Sequence, residues 1–238
     1  MGNNCFKFKQ FTVFHDRCAM KVGTDGVLLG AWADVSDCRS ILDVGTGSGL
    51  IALIAAQRNN LAKITAIEID TEAALQAKEN VGNSRFKERI EVLPLSFQDF
   101  VPVAAGQFDL IVSNPPFFTH SLPSPDMRRT DARHADSLTL NDLFVLSKEL
   151  LNDTGTLSLI YPFLERENIM LVAEKVNFHL SRETVVYPVR GASPKRILLE
   201  FNVGVKKKVD RNELVIEEKH HVYTPEFIGL VRDFYLYL

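Results

Sequence analysis

Ile41-Leu42-Asp43-Val44-Gly45-Thr46-Gly47-Ser48-Gly49-Leu50 is the stretch whose reading decides the fold. A short apolar run meets glycines at alternate positions, and Leu50, Ile51, Leu53 and Ile54 then recur at helical spacing. Glycine is needed where a strand turns sharply into a helix and a ligand lies against the backbone, because a Cβ would fill the ligand's place. Three familiar cradles are excluded by spacing. Dinucleotide sites want G-x-G-x-x-G, whereas Gly45, Gly47 and Gly49 are followed by Leu50. A hydrolase elbow wants glycine two positions before its serine, where Thr46 stands, and the Gly-Lys-Ser/Thr of a phosphate loop is missing. What fits is D-x-G-x-G-x-G, a cradle for a nucleoside cofactor. About twenty residues on, Glu68 stands at the end of the apolar run Ile64–Ile69, where a carboxylate can accept both ribose hydroxyls. Asp43, the three glycines, Glu68 and the adjoining Ile69 are therefore cofactor-site candidates.

Outward from this stretch, strand and helix patterns alternate. On the N-terminal side, Phe6, Phe8, Phe11 and Val13 alternate with polar residues and predict a small hairpin or edge element. Asp25 is placed to cap a short apolar helix over Val27–Ala33. On the C-terminal side come a helix from Thr71, as cap, to Asn80, strands at Ile90–Leu93 and Leu110–Val112, and a helix over Asn141–Leu151. A strand at Thr156–Ile160 and a helix over Glu165–Val176 follow, and Thr184–Val189 then faces Arg196–Val203 across a hairpin turn. Glu213–Ile216 suits one more edge strand, and Thr224 with Pro225 opens a final helix running toward Leu238. About five βα units and then a hairpin predict an α/β fold with helices on both faces of a mostly parallel sheet, one antiparallel strand inserted at the end. A dehydrogenase sheet would keep alternating.

At 238 residues the chain suits one large α/β domain, with residues 1–35 as an N-terminal extension over the cofactor site. A net charge of −3 argues against a protein that coats nucleic acid over a broad surface, though a local basic patch is compatible with it. Cys5, Cys18 and Cys38 have no metal-ligand spacing and read as reduced thiols. No apolar run approaches bilayer length and no secretory signal opens the chain, so a cytoplasmic location without membrane association is expected.

A second stretch, Asn114-Pro115-Pro116-Phe117, follows the apolar run Phe108–Ser113. An adenine amino group is a poor nucleophile because its lone pair is delocalised into the ring. Acceptors for its two protons and exact placement against a methyl donor improve it. Asn114 offers a side-chain carbonyl. Pro115, without an N–H to compete, offers a backbone carbonyl that Pro116 holds outward, and Phe117 offers a ring for stacking. Displacement at a sulfonium methyl needs neither a strong base nor a metal. N-P dipeptides also mark plain turns. With the glycine cradle one topological step away, the pair of stretches points to amine methylation by S-adenosylmethionine.

The two motifs together resemble the amino-group methyltransferases of nucleic acids and glutamine. His15-Asp16-Arg17-Cys18-Ala19-Met20-Lys21-Val22-Gly23-Thr24-Asp25-Gly26-Val27-Leu28-Leu29-Gly30-Ala31-Trp32 narrows this. It resembles the bacterial tRNA adenine N6-methyltransferases that act on the adenosine beside the anticodon of valine tRNA. The likeness extends over nearly the whole chain, to Asp233-Phe234-Tyr235-Leu236. The resemblance implies a class I methyltransferase (Rossmann-like) fold with a seven-stranded sheet, S-adenosylmethionine as donor with S-adenosylhomocysteine as product, no metal, tRNA rather than DNA as partner, and a monomer. It also implies that Lys21 and Thr24 touch the donor. Where related enzymes carry an Asp for the donor's adenine, Ser96 stands here, with Asp99 close behind. Arg128, Arg129, Arg133 and His134, in the long polar stretch after the clamp, are candidates for RNA phosphates, with Lys206-Lys207-Lys208 as another basic patch. Methylation of a protein glutamine or of a guanine in ribosomal RNA would suit the same clamp, and a binding module without catalysis is the reading from a different class.

Overall fold

The computed structural model describes residues 4–104, 107–115, 138–204, 206 and 208–237. Pro116, Phe117, Arg128, Arg129, Arg133, His134 and Lys207 lie outside the described residues.

The hairpin β1 (Cys5–Lys7) and β2 (Thr12–Phe14) forms a small antiparallel sheet of its own. Helix α1 (Thr24–Trp32) follows. The alternating part runs β3 (Ser40–Val44), α2 (Leu50–Arg58), β4 (Lys63–Ile67), α3 (Thr71–Gly82), β5 (Ile90–Leu93), α4 (Phe97–Phe100), β6 (Phe108–Ser113), α5 (Leu140–Leu150), β7 (Leu151–Pro162) and α6 (Arg166–Lys175). The chain closes with β8 (His179–Val189), β9 (Arg196–Asn202), β10 (Asp210–Lys219), β11 (Val222–Tyr223) and α7 (Pro225–Val231).

The strand order is β11-β10-β8-β9-β7-β6-β3-β4-β5. From β5 through β7 every pairing is parallel, and β9 runs antiparallel between β7 and β8. The seven expected strands are all present. Among the described residues the sheet is nevertheless nine strands wide, because β10 adds parallel to β8 and carries β11 on its outer edge. The Glu213–Ile216 edge strand is thus the centre of a ten-residue strand.

Alternation along the strands feeds two cores. Ile41, Ile64, Leu110, Val112 and Leu198 pack with α1, α2, α3, α7 and the hairpin. Leu42, Val44, Ile67, Ile111 and Leu199 pack with α4, α5 and α6 on the other face. Phe8 and Phe11 are buried in the first core, so these rings of the hairpin region serve packing. None of the described helices is long and apolar enough to cross a membrane.

Several element ends differ from expectation for identifiable reasons. Helix α1 starts at Thr24 behind Gly23, and Asp25 does not cap it; the Asp25 carboxylate instead accepts from Arg196 Nε at 2.7 Å. The cap of α3 is Asp70, which accepts from the Ala73 N–H at 2.9 Å, so Thr71 is already helical. Strand β4 stops at Ile67 and leaves Glu68 just beyond it. Thr224 and Pro225 do open α7, but the helix ends at Val231, and Phe234 completes the burial from a following turn.

Gly155 sits where the β6–β7 register shifts. A Cβ there would lie 2.8 Å from the Phe108 carbonyl oxygen and 3.1 Å from that of Asn152. Both obstacles are backbone, so Gly155→Ala is expected to destabilise the fold by about 2 kcal/mol, read as a lower urea midpoint at unchanged slope.

Candidate active site

Four parallel strands end in one row. Ser113 of β6 is level with Val44 of β3, Val44 with Ile67 of β4, and Ile67 with Leu93 of β5. The residues just past this row are therefore Asn114, Gly45, Glu68 and Pro94, on strands spaced about 4.8 Å apart. Strand order reverses between β3 and β6, and that switch point is where doubly wound sheets hold ligands. The buried Ser113 hydroxyl donates to the Val44 carbonyl at 2.9 Å and ties the two strand ends together.

The glycine turn adopts the conformation that its composition demands. Gly45, Gly47 and Gly49 have φ of +70°, +55° and +82°, where a side chain is strained. A Cβ built on Gly45 or Gly47 meets nothing within 4 Å among the described residues, which leave open space beside these two glycines. Glu68 leans across the turn. Its carboxylate accepts from the Gly47 N–H at 2.8 Å and from the Asp70 N–H at 3.0 Å, which orients it beside the cradle. Ile69, next along, is 53% exposed, an apolar surface at the mouth suited to a flat base.

Asp43 lies beneath the turn and is fully buried. One carboxylate oxygen accepts from the Thr46 hydroxyl at 2.6 Å and from the Ala52 N–H at 3.1 Å, binding the loop to the start of α2. The other oxygen has no partner among the described residues. Burial outweighs the two hydrogen bonds and pushes the carboxyl up to about 7, with a small addition from the negative Glu68. Asn114 presents a second orphan: its side-chain carbonyl oxygen is buried without a partner among the described residues. Leaving such an acceptor unpaired costs about 1–3 kcal/mol, and a bound ligand would remove that cost. An open glycine cradle, an oriented carboxylate and an orphaned acceptor one strand away fit a nucleoside-bearing donor and its amine substrate.

The remaining candidates are distributed around this row. Ser96 caps α4, accepting from the Asp99 N–H at 3.0 Å and donating to the Asp99 carboxylate at 2.7 Å, so the two residues form one unit beyond β5. Lys21, in the segment leading into α1, and Thr24, the first residue of that helix, are exposed. Pro115 is buried beside Asn114. Sequence reasoning missed four polar residues that shape the site: Thr46, Ser113, and the amides Gln76 and Asn80 on α3, each only 1% exposed. The signal for the amides was available, since they fall one turn apart on the helix face that carries Ala73 and Ala77.

A mostly parallel sheet with a reversed strand beside β7, and a glycine cradle at its switch point, define a class I methyltransferase. Residues 19–176 match the family model of the methyltransferase small domain. Over 236 residues, 99% of either chain, the protein is 48% identical to the tRNA1(Val) (adenine(37)-N6)-methyltransferase of Parabacteroides distasonis. It is 49% identical over 240 residues to the enzyme of that name from Trichodesmium erythraeum, again covering 99% of each. Among solved structures, a predicted O-methyltransferase from Agrobacterium tumefaciens superposes with a TM-score of 0.71 at 23% identity, covering 88% of this chain and 96% of that one, which shows the fold alone. The chain belongs to the family of tRNA1(Val) (adenine(37)-N6)-methyltransferases.

Asp43 supplies a pH test. In the unfolded chain its carboxyl titrates near its ordinary 3.8, and in the folded chain at about 7. Between these values the folded state binds the extra proton, so this residue's contribution to stability is full below about pH 4 and is lost as pH rises through 7. Stability of wild type relative to Asp43→Asn is expected to fall across that window in donor-free urea melts, because the amide cannot titrate.

Proposed function

We propose that the chain transfers a methyl group from S-adenosylmethionine to the N6 amino group of an adenine in tRNA, namely adenosine 37 of tRNA1(Val), the nucleoside named in its relatives. The observation that carries this is the orphaned Asn114 oxygen, one residue past the row that also ends at the glycine cradle. When bound, the donor supplies an electrophilic methyl on a sulfonium, a good leaving group, so no metal is asked for. Gly45, Gly47 and Gly49 leave the surface on which it rests, Glu68 accepts its ribose hydroxyls, and Ile69 covers a face of its adenine. Lys21 and Thr24 close over it, and the Ser96–Asp99 unit receives its adenine amino group. Asp43 acts from below, holding the turn in shape through Thr46 and Ala52.

Asn114 takes one N–H of the target amine and the Pro115 carbonyl takes the other. Holding both protons in the acceptor plane turns the nitrogen lone pair toward the donor. Pro116 and Phe117 complete the clamp as stiffener and stacking ring, and Arg128, Arg129, Arg133 and His134 are assigned to phosphates near the target base. We carry the molecule as a monomeric single domain that works in the cytoplasm, with residues 1–35 as an extension over the donor site. Free Cys5, Cys18 and Cys38 suit a reducing compartment.

Mass spectrometry of nucleosides from tRNA incubated with enzyme and donor is expected to show N6-methyladenosine. Label from radioactive donor appearing only in protein would overturn the assignment. Asn114→Ala is expected to lower turnover about 100-fold or more while S-adenosylhomocysteine affinity stays within about twofold. Gly47→Val should weaken that affinity first, since its side chain enters the cradle at a strained φ.

A further inference from the structure

We infer that Gln76 and Asn80 are positioning residues for donor binding, clipping the segment 14–25 as a strap across the glycine turn. The inference rests on the donor lying on that turn. Both amides are buried, and every partner found for them belongs to the strap or to the turn. Asn80 accepts from the Phe14 N–H at 2.9 Å and donates to the Phe14 carbonyl and to the Ser48 carbonyl, each at 2.8 Å. One side chain therefore joins the end of the hairpin to the glycine loop. Gln76, one turn earlier, accepts from the Arg17 N–H at 2.9 Å and the Cys18 thiol at 3.3 Å, and donates to the Asp16 carboxylate at 2.8 Å.

The far end of the strap is also anchored. Asp25 pairs with Arg196 at the start of β9, and Gly26 abuts Leu50 at the start of α2, where a Cβ would lie 3.0 Å from Leu50 Cδ2. Between the anchors, the Val22 N–H donates to the buried His15 ring at 3.3 Å. Lys21 and Thr24 are exposed in this same span. A span pinned at both ends, one of them on the glycine loop, with Lys21 exposed between them, has the arrangement of a closing strap.

If α3 only needed a packed face, apolar side chains would serve at less cost than two buried amides, each of which must be fully hydrogen-bonded. The amides specify where the strap lies. Releasing it lowers the fraction of molecules competent to bind, and apparent affinity falls by that fraction.

The test uses the full chain with Gln76→Leu and, from the exposed end of the same interaction, Asp16→Ala. S-adenosylhomocysteine affinity by calorimetry, the donor KM and kcat on tRNA, the donor-free melting temperature, and tryptic cutting after Lys21 are measured together. Gln76→Leu is expected to raise the dissociation constant and the donor KM in step by about tenfold, with kcat at saturating donor within about twofold and faster cutting after Lys21. Asp16→Ala should raise them by about threefold, and it decides the question if the first variant fails to fold. Lower melting temperature with unchanged affinity and KM, or a loss confined to kcat, would overturn the inference. Failure of wild-type protein to bind the ligand at all would instead overturn the donor reading beneath it.

Discussion

The in-register parallel pairing of β3 with β6 is the constraint on which the site depends. It sets Val44 level with Ser113, and the Ser113 hydroxyl on the Val44 carbonyl ties the pair at its last rung. Asn114, Gly45 and Glu68 are then each one residue further along on their strands. A slip of one residue would exchange the two faces of β6, sending Leu110 and Val112 to the core that now takes Ile111. Three fully or nearly fully buried side chains oppose that slip, so the geometry of the cradle and the clamp is held by apolar packing beneath them. The chemistry needs position rather than a strongly perturbed acid or base, and register is the cheapest source of position in an α/β sheet.

Polar groups under the site follow from the same requirement. Burial of Asp43 is unfavourable enough to raise its pKa despite two hydrogen bonds, yet those bonds go to Thr46 and Ala52, the two ends of the cradle. A turn with three residues at positive φ has few intrinsic reasons to hold one shape, and a buried acceptor beneath it supplies one. Glu68 acts from above on the Gly47 N–H. The loop is thus gripped from two sides, while beside Gly45 and Gly47 the described residues leave space.

Much of this was legible because glycine spacing and strand–helix alternation are local. The cradle, the parallel strands, the closing hairpin and the Thr224-Pro225 helix start all came from short patterns. What escaped is non-local. The width of the sheet depends on β10 finding the free edge of β8, and nothing in residues 210–219 names that partner. Asp25 satisfies the local rule for a cap, but Arg196, distant in sequence, takes its carboxylate. Thr71 and Asp70 are both good caps, and only the geometry of the entering chain chooses between them. Gln76 and Asn80 are ordinary helix residues by local pattern, and their role comes from Arg17 and Phe14, far off in sequence.

The clamp as proposed would by itself suit any planar NH2 group flanked by ring or amide, a description that covers adenine, guanine and glutamine alike. Selection among them therefore rests on what surrounds the Asn114 oxygen rather than on that oxygen. Net charge of −3 further means that attraction to an RNA backbone must come from a few well-placed cations, not from the field of the whole molecule. Several cations are already engaged: Arg166 and Arg211 on Glu183, Arg182 on Glu200, Arg190 on Glu218, and Arg196 on Asp25. These pairs stiffen the β8–β10 side of the sheet. The residues proposed for phosphate contact, Arg128, Arg129, Arg133 and His134, follow Asn114 in sequence. On the proposed reading, catalytic geometry falls to the strand ends, and substrate choice to cations that the sequence places elsewhere in the chain.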